Sequence, residues 1–523
     1  MNLGRGKMLF HDIAEASRAV AETRSRSTKI GLLAACLARL APDEAEIAVG
    51  FLSGEPRQGK VGLGHAAIRG VALPAAAPAP ALTVADVDAS FERIAAIRGA
   101  RSTSLRAEAL SELFARATAL EQSFLTRLLL GELRQGALES ILLDAVAKAA
   151  KVSPASIRRA AMLAGDARRV AAVALASGEA GLAEFRVQVL RPIGPMLAQT
   201  ATSLSEAFDG KTELSLEHKL DGARIQVHKD GAEVRVFTRS LNDVTERVPE
   251  IVQSALALPA RQLILDGEAI AVGKDGRPAP FQTTMRRFGR KLDVHALAGE
   301  LPIQPFYFDL LYLDGGELLD RAEGDRFAEL ERLAPPAERV ERLVASTKEE
   351  GEAFLERTLA LGHEGVMAKD VRSPYEAGRR GASWLKIKKA HTLDLVVLAA
   401  EWGSGRRKGF LSNLHLGARD PRTNSFVMLG KTFKGLTDEL LRWQTAKLQA
   451  IELSRSDWVV YVRPELVVEV AFDGVQASSQ YPGGVTLRFA RVKRYRDDKP
   501  ASEADTIDTV RAIHARQGGE EPR

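Results

Sequence analysis

The chain has 523 residues, of which 45% are hydrophobic and 27% are charged, a composition typical of soluble globular proteins. Its length predicts about three or four domains, because a single hydrophobic core stops growing near roughly 250–300 residues. The formal net charge of +5 is compatible with a nucleic-acid partner but does not by itself establish one.

The sequence lacks the signals of a membrane or secreted protein. No apolar run reaches the roughly 20 residues that a bilayer-crossing helix needs. Asp12 and Glu15 stand where a secretory signal would have its apolar stretch. The single cysteine, Cys36, lies on an apolar helical face, which predicts a buried structural thiol and excludes an internal disulfide or a four-cysteine zinc site. We therefore expect a cytoplasmic protein.

Residues 1–190 are predicted to be mostly helical. Apolar residues recur at helical spacing in Ile30–Leu40, again in Leu105–Phe114, and again in Leu138–Val146. The stretch Pro74–Pro80 is rich in proline and alanine, which predicts an exposed loop between helical parts. This region is therefore expected to form an all-α domain.

The sequence pattern changes after the helical region. Arg191–Pro195 breaks regular structure and predicts a linker. From about Leu214 onward, short β-branched runs alternate with turns such as Lys229–Gly231. This pattern predicts an α+β domain built around antiparallel strands over residues 196–389.

Strand-like runs continue to the end of the chain. One helical interval near Leu440–Ile451 interrupts them. Together these runs predict a compact β-barrel domain over residues 390–505. Residues 506–523 are predicted to be a C-terminal tail that contains a short helix.

The segment Glu217–Arg224, with the sequence Glu-His-Lys-Leu-Asp-Gly-Ala-Arg, carries the most chemical information. A lysine that attacks an α-phosphate must lose its proton, although its free pKa is about 10.4. Burial or nearby cations can lower that pKa, and a flanking glycine lets a nucleotide approach the backbone. By itself, a Lys-x-Asp-Gly segment is equally compatible with a surface turn.

Further segments follow in order along the chain. Leu265–Glu268 ends a predicted strand and offers carboxylates for a divalent cation or a ribose hydroxyl. Phe308 lies in an apolar strand, where its ring either stacks on a base or belongs to the core. Glu364–Lys369 adds a carboxylate and a cation, and Trp384–Lys388 places two lysines on one strand face, suited to phosphate oxygens. Arg496–Lys499 follows the predicted barrel.

A cluster of cations surrounds the last of these strands and is either a solvated face or a phosphate-binding surface. Its members are Arg379, Arg380, Lys386, Lys388, Lys389, Arg406, Arg407 and Lys408.

This ordered set of segments resembles the covalent nucleotidyltransferase superfamily of ATP-dependent DNA ligases and mRNA capping enzymes. The resemblance to DNA ligases, above all the larger bacterial and archaeal type, covers nearly the whole chain and includes Leu133–Gly136 and Pro195–Ala198. It implies a multidomain fold with an all-α DNA-binding domain over 1–190, an α+β adenylation (nucleotidyltransferase) domain over 196–389 and a β-barrel OB-fold domain over 390–505.

The resemblance also implies a role for each residue of the motifs. Lys219 is expected to form the lysyl-AMP phosphoramidate. Glu217 is expected to contact the adenine amine, and Phe308 to stack on the ring. Glu364 is expected to bind Mg²⁺, and Glu268 to bind ribose or the metal. Arg224 and Arg239 are expected to hold the ribose or phosphates. The α-phosphate is expected to be surrounded by four cations, namely Lys369, Arg380, Lys386 and Lys388.

Several details are left open at this point. Arg380 rather than Arg379 is chosen because of its six-residue spacing from Lys386. His218, beside the nucleophile, is expected to point away from it by strand alternation. The stretch Asp320–Arg326 stands where many ligases carry a proline before an arginine-rich turn, and is expected to be a loop variation. A final set, Arg496, Asp498 and Lys499, is expected to orient pyrophosphate when the barrel closes over the site.

The implied activity is ATP- and Mg²⁺-dependent sealing of nicked double-stranded DNA by a monomer, in DNA replication, repair or recombination. An NAD-dependent ligase would carry a four-cysteine zinc module, which one cysteine cannot build. A capping-type guanylyltransferase would not need about 190 helical residues before the lysine, and an RNA ligase would lack that region or the barrel. A non-catalytic DNA-binding scaffold is the alternative from another class, and it predicts that Lys219→Ala leaves function intact.

Overall fold

The computed structural model describes most of the chain. The described residues are 7–59, 61–62, 64, 68, 74–133, 135–136, 139–272, 281–289, 301–376, 380–388 and 391–516. Among them, no helix combines the length and the apolar character needed to cross a membrane.

The N-terminal region is helical, as predicted. Its helices are α1 (Phe10–Glu22), α2 (Arg26–Leu37), α3 (Ala45–Ser53), α4 (Val84–Ala96), α5 (Ser102–Arg116), α6 (Ala119–Leu129), α7 (Glu139–Ala150), α8 (Pro154–Ala164) and α9 (Ala167–Leu182). Thr83 is the N-cap of α4 and forms a capping box with Asp86. Thr118 is the N-cap of α6 and forms a capping box with Glu121. Gly165 ends α8 with a φ of +64°, a conformation that favours glycine.

Aromatic side chains fill the core of the helical region. The ring centroids of Phe10 and Phe51 lie 5.5 Å apart, and Phe10 and Phe124 are separated by the same distance. Cys36 is buried in this core, and burial raises the pKa of its thiol to about 11, so the predicted structural thiol is confirmed. The segment Pro74–Pro80 is irregular and mostly exposed, as expected of a connecting loop.

The described residues of the central region form two five-stranded sheets. The first has the order β1-β10-β9-β2-β8, with strands β1 (Leu197–Thr200), β2 (Leu214–His218), β8 (Arg342–Ala345), β9 (Gly365–Asp370) and β10 (Arg380–Lys388). The second has the order β4-β3-β5-β6-β7, with strands β3 (Ala223–Asp230), β4 (Glu233–Thr238), β5 (Gln262–Ala271), β6 (Ile303–Leu313) and β7 (Gly316–Glu317). The helices are α10 (Leu204–Phe208), α11 (Pro249–Ala257), α12 (Phe281–Gly289), α13 (Glu323–Leu333) and α14 (Lys348–Ala360).

The strand pairs β2/β9, β9/β10, β3/β5 and β5/β6 are antiparallel, whereas β1 pairs with β10 in parallel. The predicted linker is irregular but anchored to the second sheet. Ile193 donates its backbone N–H to Gln226 Oε1 at 2.7 Å and accepts from Gln226 Nε2 at 3.1 Å. The helical and central regions therefore meet across a hydrogen-bonded segment.

The stretch Asp320–Arg326, expected as a loop variation, is partly helical and has a structural role. Arg326, in α13, donates from Nε and Nη2 to the Asp309 carboxylate at 2.8 and 2.9 Å. Both side chains are almost fully buried. Asp309 therefore anchors α13 to β6 beside Phe308, instead of facing a ligand.

The C-terminal region is a sheet domain with two helices. One sheet of seven strands contains the continuous path β13-β12-β11-β15-β14, and β16, which lies off that path, pairs with both β11 and β19. The strands are β11 (His391–Trp402), β12 (Leu411–Asp420), β13 (Ser425–Thr432), β14 (Glu452–Arg455), β15 (Val459–Val462), β16 (Val467–Phe472) and β19 (Arg491–Tyr495). β17 (Gly474–Ala477) and β18 (Val485–Arg488) form a separate hairpin, and the helices are α15 (Asp438–Ala450) and α16 (Ile507–Arg516).

Two features of this region bear on the predictions. The helical interval predicted near Leu440–Ile451 is α15. The described part of the predicted tail is α16, in which Val510 and Ile513 are buried in the core of the sheet domain. Those residues are therefore part of the domain core and do not form a free extension.

Candidate active site

Residues of both central sheets line a cavity of about 760 Å³. Ten of the predicted site residues contribute to its wall: Glu217, Lys219, Arg224, Arg239, Glu268, Phe308, Glu364, Lys369, Lys386 and Lys388. Arg380 lies in β10, but its side chain and the whole of Arg379 are outside the described residues. The choice between these two arginines therefore stays a prediction.

Lys219 follows the last residue of β2 and is fixed by the neighbouring strand. Its backbone N–H donates to Gly365 O at 2.8 Å, and Glu364 N–H donates to Lys219 O at 3.3 Å. The side chains of the same two residues meet, because Lys219 Nζ donates to Glu364 Oε2. Gly222 is required for the chain to pass close to β5, since a Cβ there would lie 2.5 Å from Ala269 O.

We call Lys219, Glu364 and Lys388 the nucleophile end of the cavity. Lys388 Nζ lies 2.9 Å from Glu364 Oε2 and 3.0 Å from Asp473 Oδ2. Burial tends to raise the pKa of Glu364, but the Lys219 and Lys388 ammonium groups outweigh it and lower the pKa. A carboxylate held between two lysines keeps both of them beside the position where a phosphoryl group would react.

We call Glu217, Phe308, Lys369 and Trp384 the base end. Lys369 Nζ donates to Glu217 Oε1 at 2.7 Å and to Phe308 O at 3.0 Å. The same nitrogen lies 4.8 Å from the centroid of the Phe308 ring and 4.5 Å from that of Trp384. Burial raises the pKa of Glu217 to about 7, and the Lys369 charge opposes this rise. This end combines an aromatic ring with a hydrogen-bond acceptor, which suits a base that carries an amine.

Lys369 was expected near the α-phosphate, but the structure gives it different partners. Its side chain is only 1% exposed and is paired with Glu217, which is 2% exposed. The physical reason is the register of the first sheet, which sets Lys369 opposite Ser215 of β2 and Trp384 of β10. Lys369 therefore groups with the predicted base contacts.

Arg224 is also held mainly by protein groups. Its guanidinium donates to both oxygens of Asp266, at 3.0 and 2.6 Å, and to Met196 O at 2.6 Å. Tyr375 OH donates to Asp266 at 2.8 Å. Burial tends to lower the pKa of Arg224, but the Asp266 charge outweighs it and raises the pKa. Asp266 is therefore occupied by Arg224 and Tyr375, which leaves Glu268 as the available carboxylate of Leu265–Glu268.

Glu268 and Arg239 are the least occupied of the predicted contacts. Among the described residues, the Glu268 carboxylate has no hydrogen bond or ion pair, and burial raises its pKa to about 8 against the charges of Lys219 and Arg224. Arg239 is exposed at the cavity wall. A partly buried carboxylate without a partner among the described residues suits a cation or a hydroxyl donor.

The C-terminal region reaches the cavity through two residues that the sequence did not single out. Arg488 Nη1 donates to Asp221 Oδ2 at 2.6 Å, which joins β18 to the Lys219 segment. Phe489 lines the cavity, is 62% exposed as a residue, and has a φ of +55°, a rare conformation for a non-glycine residue. The sequence analysis rested on the motifs of the central region and on Arg496–Lys499, and neither Arg488 nor Phe489 belongs to them.

Arg496 and Lys499, by contrast, lie outside the cavity wall in this arrangement. Arg496 donates to Asp394 at 2.8 Å and to both oxygens of Asp498, and Lys499 donates to Asp394 at 2.8 Å. Their expected contact with pyrophosphate would need a different placement of the sheet domain and stays a prediction.

Three family models match the chain. The model described as "DNA ligase N terminus" matches residues 70–147, "ATP dependent DNA ligase domain" matches residues 195–388, and "ATP dependent DNA ligase C terminal region" matches residues 407–499. The matches cover the helical, central and C-terminal regions in the order in which the fold presents them.

Similar proteins extend over nearly the whole chain. One from Anaeromyxobacter sp. (strain Fw109-5) is 59% identical over 513 residues, 98% of this chain and 99% of that protein. Another, from Mycobacterium marinum, is 56% identical over 97% of this chain and 100% of that protein. Both are named "Probable DNA ligase". The solved structure "Pmar-Lig_Pre." has a TM-score of 0.61 at 18% identity, covering 93% of this chain and 99% of that one, which supports the fold alone.

Proposed function

Since this chain belongs to the ATP-dependent DNA ligase family, we propose that it seals nicks in duplex DNA through a lysyl-AMP intermediate on Lys219. The observation that carries the proposal is the contact of Lys219 Nζ with Glu364 at one end of the cavity. The other end of the same cavity is lined by the Phe308 ring and the Glu217 carboxylate. A nucleophile and a base-binding surface thus share one cavity.

The reaction consists of three phosphoryl transfers. Lys219 Nζ attacks the α-phosphorus of ATP, an N–P bond forms, and pyrophosphate leaves with the electrons of the broken P–O bond. The Lys219 ammonium group must first lose one proton, which passes to solvent because the side chain is 18% exposed. A DNA 5′-phosphate next takes AMP from the lysine, and a 3′-hydroxyl then displaces AMP to close the backbone. Each step accumulates charge on phosphoryl oxygens, so positioning and cations are the main sources of acceleration.

The base end of the cavity binds the adenine of ATP, and the nucleophile end binds the α-phosphate. Glu217 accepts a hydrogen bond from the adenine amine, and Phe308 stacks on the ring. Lys386 and Lys388 bind the α-phosphate, and Arg239, which is exposed, contacts ribose or phosphate. Lys369 donates a hydrogen bond to Glu217 and so positions the carboxylate that contacts the base. Arg224 donates to Asp266 and so stabilises the cavity wall.

Mg²⁺ fits the residues present. Glu268 is a partly buried carboxylate without a partner among the described residues, and it faces the same cavity as Glu364. These two carboxylates would hold the ion together with nucleotide phosphates, the arrangement that Mg²⁺ commonly adopts. The bound ion would neutralise charge on the phosphate oxygens during transfer.

Nicked double-stranded DNA is the proposed substrate partner. The helical domain over 1–190 would grip the duplex, and the sheet domain over 390–505, as an OB-fold, would present Arg488 and Phe489 at the cavity mouth. Phosphate contacts from several domains give affinity without sequence preference. We further propose a monomer that acts in the cytoplasm in DNA replication, repair or recombination.

The first test is incubation of the purified protein with Mg²⁺ and α-³²P-labelled ATP, beside labelled GTP and NAD, followed by a denaturing gel. The label should be retained from ATP alone, be absent in Lys219→Ala, and be discharged by nicked duplex with sealing. Label from GTP would favour a capping-type guanylyltransferase. No label from any nucleotide would overturn the proposal in favour of a non-catalytic scaffold.

DNA binding has a separate test. Affinity for a nicked duplex should fall by about 10³-fold or more between about 50 and 200 mM salt, because phosphate contacts release counterions. Fluorescence anisotropy with two unrelated duplex sequences measures both salt dependence and sequence preference. Affinity that scarcely changed with salt would contradict the phosphate-based mode of binding.

A further inference from the structure

Two histidines stand directly before the two side chains of the nucleophile end. His218 precedes Lys219, and His363 precedes Glu364. Their rings are stacked, with centroids 4.6 Å apart and planes inclined by 22°. His218 also stacks on Phe354 of α14, with centroids 5.1 Å apart. Three rings thus join β2, α14 and the residue that leads into Glu364.

The surroundings of His218 exclude a role as a base for the reaction. Its side chain is 5% exposed. Nδ1 lies 2.9 Å from Thr358 Oγ1, and Nε2 lies 3.1 Å from Glu341 Oε2. Both ring nitrogens are therefore occupied by groups outside the cavity wall, since Thr358 and Glu341 do not line it.

The stack is continued by backbone hydrogen bonds toward the cavity. Lys219 N–H donates to Gly365 O, and Glu364 N–H donates to Lys219 O. His363 N–H donates to Thr358 O, which ties the second ring to the end of α14. Burial lowers the pKa of both imidazoles, that of His363 to about 4, so the rings are neutral at pH 7 and do not repel each other.

We infer that the stacked rings of His218 and His363 are a positioning pair, which sets the separation of Lys219 and Glu364 for the first phosphoryl transfer. The inference rests on the proposed function, because it concerns the formation of lysyl-AMP. Lys219 and Glu364 belong to different segments, so their side-chain contact needs a fixed backbone spacing. A flat ring pair directly behind both residues supplies that spacing, whereas a smaller side chain would let the two segments move.

The test compares two reactions of the same protein. Formation of lysyl-AMP from ATP requires the Lys219 amine, whereas sealing of a pre-adenylated nicked DNA does not. His363→Ala should lower the single-turnover rate of lysyl-AMP formation at saturating ATP by about tenfold or more, since small misplacements of reacting groups have effects of this size. The KM for ATP and the rate of sealing pre-adenylated DNA should stay close to those of the unmodified protein.

Two further variants separate positioning from general packing. His363→Phe keeps a flat ring in the stack and should restore most of the rate. His415→Ala is the control at a histidine outside the site, because His415 Nε2 lies 3.0 Å from Glu401 Oε1 in the C-terminal sheet and His415 is absent from the cavity wall. It should leave lysyl-AMP formation unchanged.

Each outcome has a distinct meaning. An unmodified protein that forms no adenylate from ATP would overturn the proposed function itself. An active unmodified protein with an unaffected His363→Ala variant, or with equal losses in both reactions, would overturn the positioning role alone. If thermal melting shows that His363→Ala is unfolded, His363→Phe provides the test instead. A folded His363→Phe protein that forms lysyl-AMP slowly would overturn the positioning role.

Discussion

The two ends of the cavity differ in how far their ion pairs are removed from water. At the base end, the side chains of Lys369 and Glu217 are 1% and 2% exposed. At the nucleophile end, the side chains of Lys219 and Lys388 are 18% and 22% exposed around Glu364. The base end is therefore a permanent part of the core, whereas the nucleophile end consists of contacts that nucleotide phosphates can replace.

This difference separates stability from chemistry within one site. Removing one partner of a buried ion pair costs about 3–5 kcal/mol, because the other charge is left buried alone. Removing a partner of a partly exposed pair costs about 1 kcal/mol or less, because water takes its place. Substitutions at the base end should therefore weaken the fold together with nucleotide binding, and those at the nucleophile end should slow the reaction while the fold persists.

The largest effect is expected at the nucleophile itself. Lys219→Met removes the amine and keeps most of the side-chain volume, so lysyl-AMP should fall below detection. Because Lys219 is partly exposed, the melting temperature should move by no more than about 2 °C. A denaturing gel with labelled ATP and thermal melting measure the two quantities. A large loss of stability would place Lys219 in the core and break the distinction between the two ends.

The next effect concerns Lys388, the second cation on Glu364. Lys388→Gln should slow lysyl-AMP formation by about 10²–10³-fold, as loss of a charged donor to a transition state does. Its stability should change by less than about 1 kcal/mol, because the side chain is 22% exposed. Single-turnover kinetics and urea denaturation provide the two numbers. Unchanged kinetics would remove Lys388 from the phosphate-binding set.

A base-end substitution should show the opposite balance. Lys369→Met leaves Glu217 without its cation and should lower the free energy of unfolding by about 3 kcal/mol. Lys388→Gln is the matched comparison, since each variant removes one lysine from an ion pair of the same cavity. Urea titrations of both proteins give the difference. Equal losses of stability would show that burial does not distinguish the two ends.

The sequence was sufficient to predict ten of the residues that line the cavity, because the motifs occur in a fixed order and each brings its own chemistry. Helical periodicity is a local property, so the helical N-terminal region and α15 were also predictable. The spacing of Ile507, Val510 and Ile513 carried the same signal for α16, which was interpreted as part of a tail.

Details of contact depended on long-range register, which local patterns do not contain. Lys369 meets Glu217 because β9 lies between β2 and β10, and this strand order is not visible in the segment itself. Arg488 reaches Asp221 across 267 positions of the chain. Phe489 has a positive φ, but a positive φ is usually signalled by a glycine in the sequence, and phenylalanine gives no such signal. The side-chain contacts made between distant segments of the chain could therefore not be predicted from local sequence patterns.

The smallest expected effect is the pH dependence of nucleotide binding at the base end. Burial raises the pKa of Glu217 to about 7, above its ordinary value of 4.5, so the carboxyl gains a proton as the pH falls through 7. The ionised form accepts the adenine amine more strongly than the neutral form by about 1 kcal/mol. The KM for ATP in lysyl-AMP formation should therefore rise about three- to fourfold from pH 8 to pH 6. Glu217→Gln, which cannot titrate, should show a flat profile. A profile equally steep in this variant would assign the titration to another group and remove the ionised carboxylate from the description of the base end.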